Sequence, residues 1–176
     1  MGLPIIGGGG GGGGGGPPGG GGGSRRPAAP PTHKPVPMQK LMNLLMELED
    51  VAEGGVLGAD AIEDCATEQG VPRAMMYAAA VLSPELRFAK ESDVAFVCCA
   101  GGCQEWGAVD VIEQLLRLRR SRLDEGKPAF DVHARMCLDR CENAPMVVAI
   151  SPDGMAAIPA ADAAKLAEAV EQLCAP

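Results

Sequence analysis

The sequence predicts an α/β fold in which a mixed four-stranded sheet with helices follows a small three-helix bundle. Leucines repeat at helical spacing near the start of the folded part, and after residue 93 the apolar residues instead form short runs typical of strands. A turn sequence joins the last two of these runs. We expect a disordered tail at 1–37, the bundle at 38–90 and the α/β domain at 91–176.

The predicted tail is defined by its composition. Residues 1–37 hold 16 of the 25 glycines and 8 of the 15 prolines. Such a segment buries too little apolar surface to offset the entropy of ordering it, so its deletion should leave stability unchanged. It contains basic residues and no acidic one, so the remainder is more acidic than the whole chain, whose net charge is −8. This acidic body argues against nucleic acid as a partner.

Three helices are predicted for the bundle. Apolar residues at i, i+3, i+4 and i+7 indicate the first, over 38–51. Asp60 and Glu63 have the spacing of a capping box, which indicates where the second begins. The third is expected over 73–82, directly after Pro72, because proline is favoured in the first helical turn.

The order of elements expected in the second half is β-α-β-β-β-α. Strands at 94–98 and 130–136 flank a helix at 108–123, and such a β-α-β unit makes its two strands parallel. Two more strands flank a turn at 151–154 and form a hairpin, and a helix follows them. One parallel pair followed by an antiparallel hairpin is a thioredoxin-like arrangement.

We expect a cytoplasmic protein. The N-terminus has neither the charged region nor the long apolar stretch of a secretion signal, and the longest apolar run is too short to span a bilayer. In that compartment, clustered cysteines usually serve metal or redox chemistry and not structural disulfides.

Four of the seven cysteines form two close pairs, Cys98 with Cys103 and Cys137 with Cys141. Each pair follows one of the two predicted parallel strands, so both pairs are expected at the edge of the sheet where ligands collect. Spacing alone permits a structural zinc ion bound by four thiolates or a 2Fe–2S cluster. Both interpretations remain open on the spacing.

The residues around the two pairs form a wider pattern. It consists of Gly70-Val71-Pro72 before a helix with Tyr77, Cys98-x4-Cys103-x3-Gly107, Phe130-x6-Cys137, and Cys137-Leu138-x2-Cys141-x2-Ala144-Pro145. With this pattern the chain from 41 to 173 resembles the small 2Fe–2S subunit of NADH:quinone oxidoreductase (respiratory complex I). The same family includes the gamma subunits of NAD-linked hydrogenases and formate dehydrogenases.

The resemblance implies that Cys98, Cys103, Cys137 and Cys141 ligate one 2Fe–2S cluster on a thioredoxin-like domain. It implies an electron-transfer subunit that performs no bond-making chemistry itself. Its partner would be a flavin-containing, NADH-binding subunit of a larger oxidoreductase with further subunits. The cytoplasmic location would then include the peripheral arm of a membrane-associated complex, without membrane insertion by this chain.

Two other functions are compatible with the same four cysteines. Asp139 and Arg140 stand where the family has glycine and a small residue, and an arginine before the last cysteine is similar to stand-alone thioredoxin-like 2Fe–2S ferredoxins. A soluble ferredoxin is therefore the nearer alternative. A zinc-stapled interaction module with the same four ligands is the alternative from a different class.

The other cysteines and the second histidine are expected to be structural. Cys65 and Cys174 fall on apolar helical faces and are predicted to be core thiols. Cys99 follows a predicted ligand, so it should point to the opposite face of the strand and pack there as a neutral thiol. His133 lies on the polar face of its strand and is predicted to be a surface residue.

Overall fold

The computed structural model describes residues 31–175, and the predicted disorder of 1–30 lies outside them. In this range the helices are α1 (Met38–Val51), α2 (Ala59–Glu68), α3 (Arg73–Ala80), α4 (Ala108–Asp124) and α5 (Ala163–Leu173). The strands are β1 (Val56–Leu57), β2 (Arg87–Phe88), β3 (Ala95–Cys99), β4 (Asp131–Arg135), β5 (Val147–Ser151) and β6 (Gly154–Ile158). None of these helices is long and apolar enough to cross a membrane.

The main sheet has four strands in the order β4-β3-β5-β6. β3 is parallel to β4, with Cys98 opposite Ala134 and Cys99 opposite Arg135. β5 is antiparallel to β3, and β6 is antiparallel to β5, with Ser151 opposite Gly154 at the turn. The structure therefore confirms a mixed α/β architecture with one parallel pair followed by an antiparallel hairpin.

One hydrophobic core joins the predicted bundle to the predicted α/β domain. Leu48 of α1 and Ile62 of α2 belong to the same buried cluster as Phe96 of β3 and Leu166 of α5. Contacts of this kind across many elements define a single core. The segments on either side of the predicted boundary after residue 90 thus fold around one core.

Two short features near the second helix differ from the prediction. Gly58 is the N-cap of α2, and no side chain caps the helix, so Asp60 lies in the first turn and not at the cap. There its negative charge is still favourable, because the N-terminus of a helix carries partial positive charge. β1 and β2 pair in parallel as a separate two-stranded sheet. Strands of two residues are too short to leave a periodic pattern in the sequence.

Helix α4 buries Ile112 and Leu116, as its apolar spacing predicts, but departs from that pattern near its C-terminal end. The spacing places the arginines on the solvated face and Leu123 on the buried one, whereas Arg122 is 5 % exposed and Leu123 is 44 % exposed. The guanidinium donates to the carbonyl oxygens of Pro128 and Cys174 and pairs with Glu171 at 2.9 Å. Burial of this charge is tolerated because its N–H groups have hydrogen-bond acceptors.

Residues 31–37, predicted to belong to the disordered tail, pack on the rest of the protein. The backbone N–H groups of Thr32 and His33 donate to the carbonyl oxygen of Glu105 at 2.9 and 3.0 Å. We call this segment the strap. The structure thus places residues 31–37 of the predicted tail in hydrogen-bonded contact with a distant part of the chain.

Candidate metal centre

Both cysteine pairs lie where the parallel strands β3 and β4 end. The first cysteine loop (residues 98–107) includes the 3₁₀ turn Gly102–Trp106, which carries Cys103. The second cysteine loop (residues 136–145) carries Cys137 and then the 3₁₀ turn Cys141–Asn143. Parallel strands bring their carboxyl ends to one edge of the sheet, as the sequence predicts.

The adjacent residues Cys98 and Cys99 enter different environments, because consecutive strand residues point to opposite faces. Cys98 belongs to the main hydrophobic core together with Phe96. Cys99 belongs to a second, small cluster with Cys103 and Ala108. The structure therefore places Cys99 beside Cys103, whereas the predicted ligand Cys98 faces the core.

The sulfur of Cys99 has several hydrogen-bond partners. Its thiol donates to the carbonyl oxygen of Met136 at 3.4 Å. Once ionised, it accepts hydrogen bonds from the thiol of Cys103 and from the backbone N–H groups of Cys103, Leu138 and Gly101. The bond from the Cys103 thiol is the main reason that the pKa of Cys99 falls to about 6, although burial opposes the shift. This sulfur lies in an environment that stabilises a thiolate.

Cys103 keeps the proton that it shares with Cys99. The hydrogen bond to Cys99 is the main cause that raises the pKa of Cys103, followed by burial and by the negative charge of Cys99. The charge of Cys141, in the second cysteine loop, raises it further. Burial raises the pKa of Cys141, as do the charge of Cys137 and a hydrogen bond between these two thiols. Thiols of the two loops thus interact with one another.

Three other cysteines have the environment of core thiols. Burial raises the pKa of Cys98, and the charge of Cys99 raises it further. A neutral thiol in such surroundings packs as a small apolar group. Cys65 and Cys174 are each 3 % exposed, which confirms their predicted burial.

The second cysteine loop is more exposed than the first. Cys137 is exposed and Cys141 is half-buried. The backbone N–H of Asp139 donates to the sulfur of Cys137 at 3.2 Å, and the Asp139 backbone is left-handed, with φ of 55°. Glycine adopts that conformation at lower cost than any residue with a side chain. Asp139 is the position at which the resembled family has glycine.

Two glycines, Gly101 and Gly107, allow the first cysteine loop to pass close to its neighbours. A Cβ atom at Gly101 would overlap the carbonyl oxygen and the sulfur of Met136. Gly107 has φ of 84°, and a Cβ atom there would lie 3.1 Å from the imidazole of His33. Each glycine thus marks a place where the loop contacts another segment directly.

The strap is held to the first cysteine loop by a buried glutamine. The Gln104 side chain accepts a hydrogen bond from the Val36 N–H at 2.9 Å and donates one to the Ala100 carbonyl oxygen at 2.8 Å. His33 of the strap lies 2.8 Å from a carboxylate oxygen of Asp110. A single glutamine leaves no periodic signal, so the sequence did not identify this attachment.

His133, predicted to be a surface residue, is half-buried in an aromatic stack. Its ring stacks on Phe88 with centroids 5.7 Å apart, and Phe88 stacks on Tyr77 at 5.1 Å. Its Nε2 donates to the Ala89 carbonyl oxygen at 3.2 Å. The stack borders an open pocket of about 530 Å³ that reaches Cys137. His133 therefore has a packing role beside the second cysteine loop.

The donor set at this edge consists of thiols, which suit soft metal ions and iron–sulfur clusters. Within residues 31–175, no group of three or more His, Cys, Asp or Glu side chains is arranged to hold a single metal ion. The four thiols lie in two pairs, Cys99 with Cys103 in the first cysteine loop and Cys137 with Cys141 in the second. No protein-family model matches the chain, and no curated protein matches it.

Proposed function

We propose that this protein is an electron-transfer subunit that carries one 2Fe–2S cluster on a thioredoxin-like domain. The observation that carries the proposal is the convergence of thiols from two loops at the end of parallel strands β3 and β4. Cys103, Cys137 and Cys141 would supply three thiolates, and the adjacent residues Cys98 and Cys99 would supply the fourth. The resemblance noted in the sequence assigns this fourth position to Cys98.

The pairing of the thiols supports a cluster with two irons. In a 2Fe–2S cluster each iron takes two thiolates, whereas structural zinc takes all four around a single ion. Cys99 packs with Cys103 in the first cysteine loop, and Cys137 and Cys141 lie together in the second, so the thiols are grouped in twos. Each group could serve one iron.

The surroundings of the thiols would control how easily a bound cluster is reduced. A 2Fe–2S cluster supplies a one-electron carrier whose potential depends on hydrogen bonds to sulfur and on burial. The backbone N–H groups of Gly101 and Leu138 donate to Cys99, and that of Asp139 donates to Cys137. Cys103 is buried and Cys137 is exposed, so the second cysteine loop is the side from which a partner would exchange electrons.

The proposed partner is a flavin-containing, NADH-binding subunit of a larger oxidoreductase. Nicotinamide cofactors transfer a hydride, which carries two electrons, and a flavin can pass those electrons on one at a time. No strand-to-helix junction within residues 31–175 carries a glycine-rich dinucleotide fingerprint. The family resemblance, together with this division of labour, supports the choice of partner.

Chemical analysis of anaerobically purified protein tests the cluster. We expect about two irons and about two acid-labile sulfides per chain, with a red-brown colour that dithionite bleaches. One zinc per chain without sulfide would contradict the proposal and favour the zinc-stapled module, because zinc is colourless.

Reduction kinetics test the partner. NADH alone should leave the visible spectrum unchanged, and NADH with an NADH-oxidising flavoprotein should bleach it. Direct reduction by NADH would contradict the proposed division of labour.

A stand-alone ferredoxin is the second candidate, favoured by Arg140 directly before Cys141. It would share the cluster but not the permanent partner. Native size analysis of a lysate from cells that express the chain at its normal level separates the two functions. A subunit should elute in a larger complex with a flavoprotein, and a ferredoxin should elute at the size of the 18.0 kDa chain.

A further inference from the structure

We propose that Cys99, and not Cys98, supplies the fourth thiolate of this site. The inference rests on the cluster proposed above and changes its ligand set to Cys99, Cys103, Cys137 and Cys141. It departs from the position that the resemblance to the 2Fe–2S subunits implies.

The hydrogen bonds of β3 fix which of the two residues faces the cysteine loops. Cys98 lies opposite Ala134 on one side and Val147 on the other. The ladder continues beyond it, because the Cys99 N–H donates to Met146 at 3.3 Å and the next N–H along the chain donates to Arg135 at 2.8 Å. The strand is thus held on both sides at the two residues in question.

Turning Cys98 toward the loops would require a one-residue shift in the register of β3. Such a shift moves every side chain of the strand to the opposite face. Phe96, which is fully buried and packs edge-to-face on Phe130 with ring centroids 4.9 Å apart, would leave the core. The packing of Phe96 therefore opposes any arrangement in which Cys98 reaches the other thiols.

The two sulfurs also differ in their polar surroundings. The Cys99 thiol donates to the carbonyl oxygen of Met136, the first residue of the second cysteine loop, at 3.4 Å. Cys99 also packs with Cys103 of its own loop, and Leu138 of the second loop packs against this cluster. Cys98 packs among apolar residues of the main core, where an ionised sulfur would lack hydrogen-bond donors. Of the two residues, Cys99 is therefore the one in contact with both loops.

The choice of Cys99 also makes the two ligand pairs alike. Cys99-x3-Cys103 has the same spacing as Cys137-x3-Cys141, whereas Cys98 would give a spacing of x4 in the first pair. Each iron would then be held by a pair of the same spacing, whose second cysteine lies in a 3₁₀ turn after one of the two parallel strands.

Alanine variants of the two neighbours test the inference on the full chain. Cys98→Ala should retain the iron, the sulfide and the EPR spectrum of the dithionite-reduced wild type. Cys99→Ala should lose most of its iron and sulfide. Retention in Cys99→Ala, or loss in Cys98→Ala and also in the apolar replacement Cys98→Val, would overturn the inference.

Serine variants provide spectroscopic measurements that would not change if the substituted cysteine had only a structural role. Because a serine oxygen can replace sulfur on iron, Cys99→Ser should shift the visible bands and the EPR g values of any cluster that remains, or lose the cluster. Cys98→Ser should leave both spectra unchanged. Shifted spectra in Cys98→Ser with unshifted spectra in Cys99→Ser would overturn the inference. Absence of iron and sulfide from the wild type would instead reject the proposed function itself.

Discussion

The two cysteine loops occupy the same edge of the sheet but are built differently. The first cysteine loop is buried, passes close to Met136 through Gly101, and is tied to the strap through Gln104. The second is exposed, and Asp139 holds a conformation that favours glycine. The difference indicates that the first loop fixes the position of the site in the fold, while the second leaves one side of the site open to solvent.

Among the variants that compare the two loops, Gly101→Ala is expected to cause the largest loss of stability. The new Cβ atom would meet the backbone carbonyl of Met136, which cannot move without distorting the end of β4. We expect the free energy of unfolding of the metal-free protein to fall by about 2–3 kcal/mol, as for an overpacked core. Urea denaturation measures this change.

Gly102→Ala is the matched control in the same loop. A Cβ atom at Gly102 has open space around it, so its effect should stay within about 0.5 kcal/mol. Equal effects of the two substitutions would show that the first cysteine loop is not tightly packed.

Removal of the strap should have the next largest effect. A chain that begins at residue 38 lacks the hydrogen bonds to Glu105 and leaves the buried Oε1 of Gln104 without its N–H donor, in contrast to a chain that begins at residue 31. We expect the shorter chain to be less stable by about 2 kcal/mol, from lost hydrogen bonds and an unsatisfied buried group. Thermal unfolding of the two metal-free chains measures the difference, and equal stability would restore the prediction that all of residues 1–37 are dispensable.

The sequence predicts a segment of this fold when the residues that determine its structure are close together in the chain. The bounds of α1 agree with the prediction because its buried leucines repeat over two full turns. The strap has no such repeat, and it is held by contacts with residues distant in sequence, including Glu105, Gln104 and Asp110. Local pattern therefore identifies the helix and misses the segment directly before it.

At the candidate site, too, the sequence predicts what depends on local pattern and misses what depends on contacts distant in the chain. The sequence predicts that two cysteine pairs meet at one edge, because strand direction follows from the β-α-β order. The resemblance selects Cys98 as the ligand, but strand alternation alone does not decide between Cys98 and Cys99, because the register of β3 determines which of them faces the loops. Arg122 is a similar case, because its burial depends on Glu171 of a helix that is distant in sequence.

Alkylation of the metal-free protein compares the two loops directly. At neutral pH, iodoacetamide should modify the exposed Cys137 more than about tenfold faster than Cys103, because a buried thiol is shielded from the reagent. Peptide mass spectrometry after timed quenching gives the rates. In urea the rates should converge, and the buried Cys65 provides a second slow thiol in the folded state. Similar folded-state rates at Cys137 and Cys103 would contradict the difference in burial.

The smallest expected effect concerns Asp139, where the second cysteine loop keeps a side chain in a left-handed conformation. Asp139→Gly should stabilise the metal-free protein by about 0.5–1 kcal/mol, because glycine removes the steric cost of positive φ while its own N–H still reaches the sulfur of Cys137. Asp153→Gly is the matched control. It makes the same chemical change in another exposed turn, at a residue whose backbone does not have positive φ. There glycine only adds freedom to the unfolded chain, so the control should lose about 0.5–1 kcal/mol. Urea denaturation of both variants checks the opposite signs, and destabilisation by Asp139→Gly would mean that the aspartate side chain contributes more to this loop than its backbone strain costs.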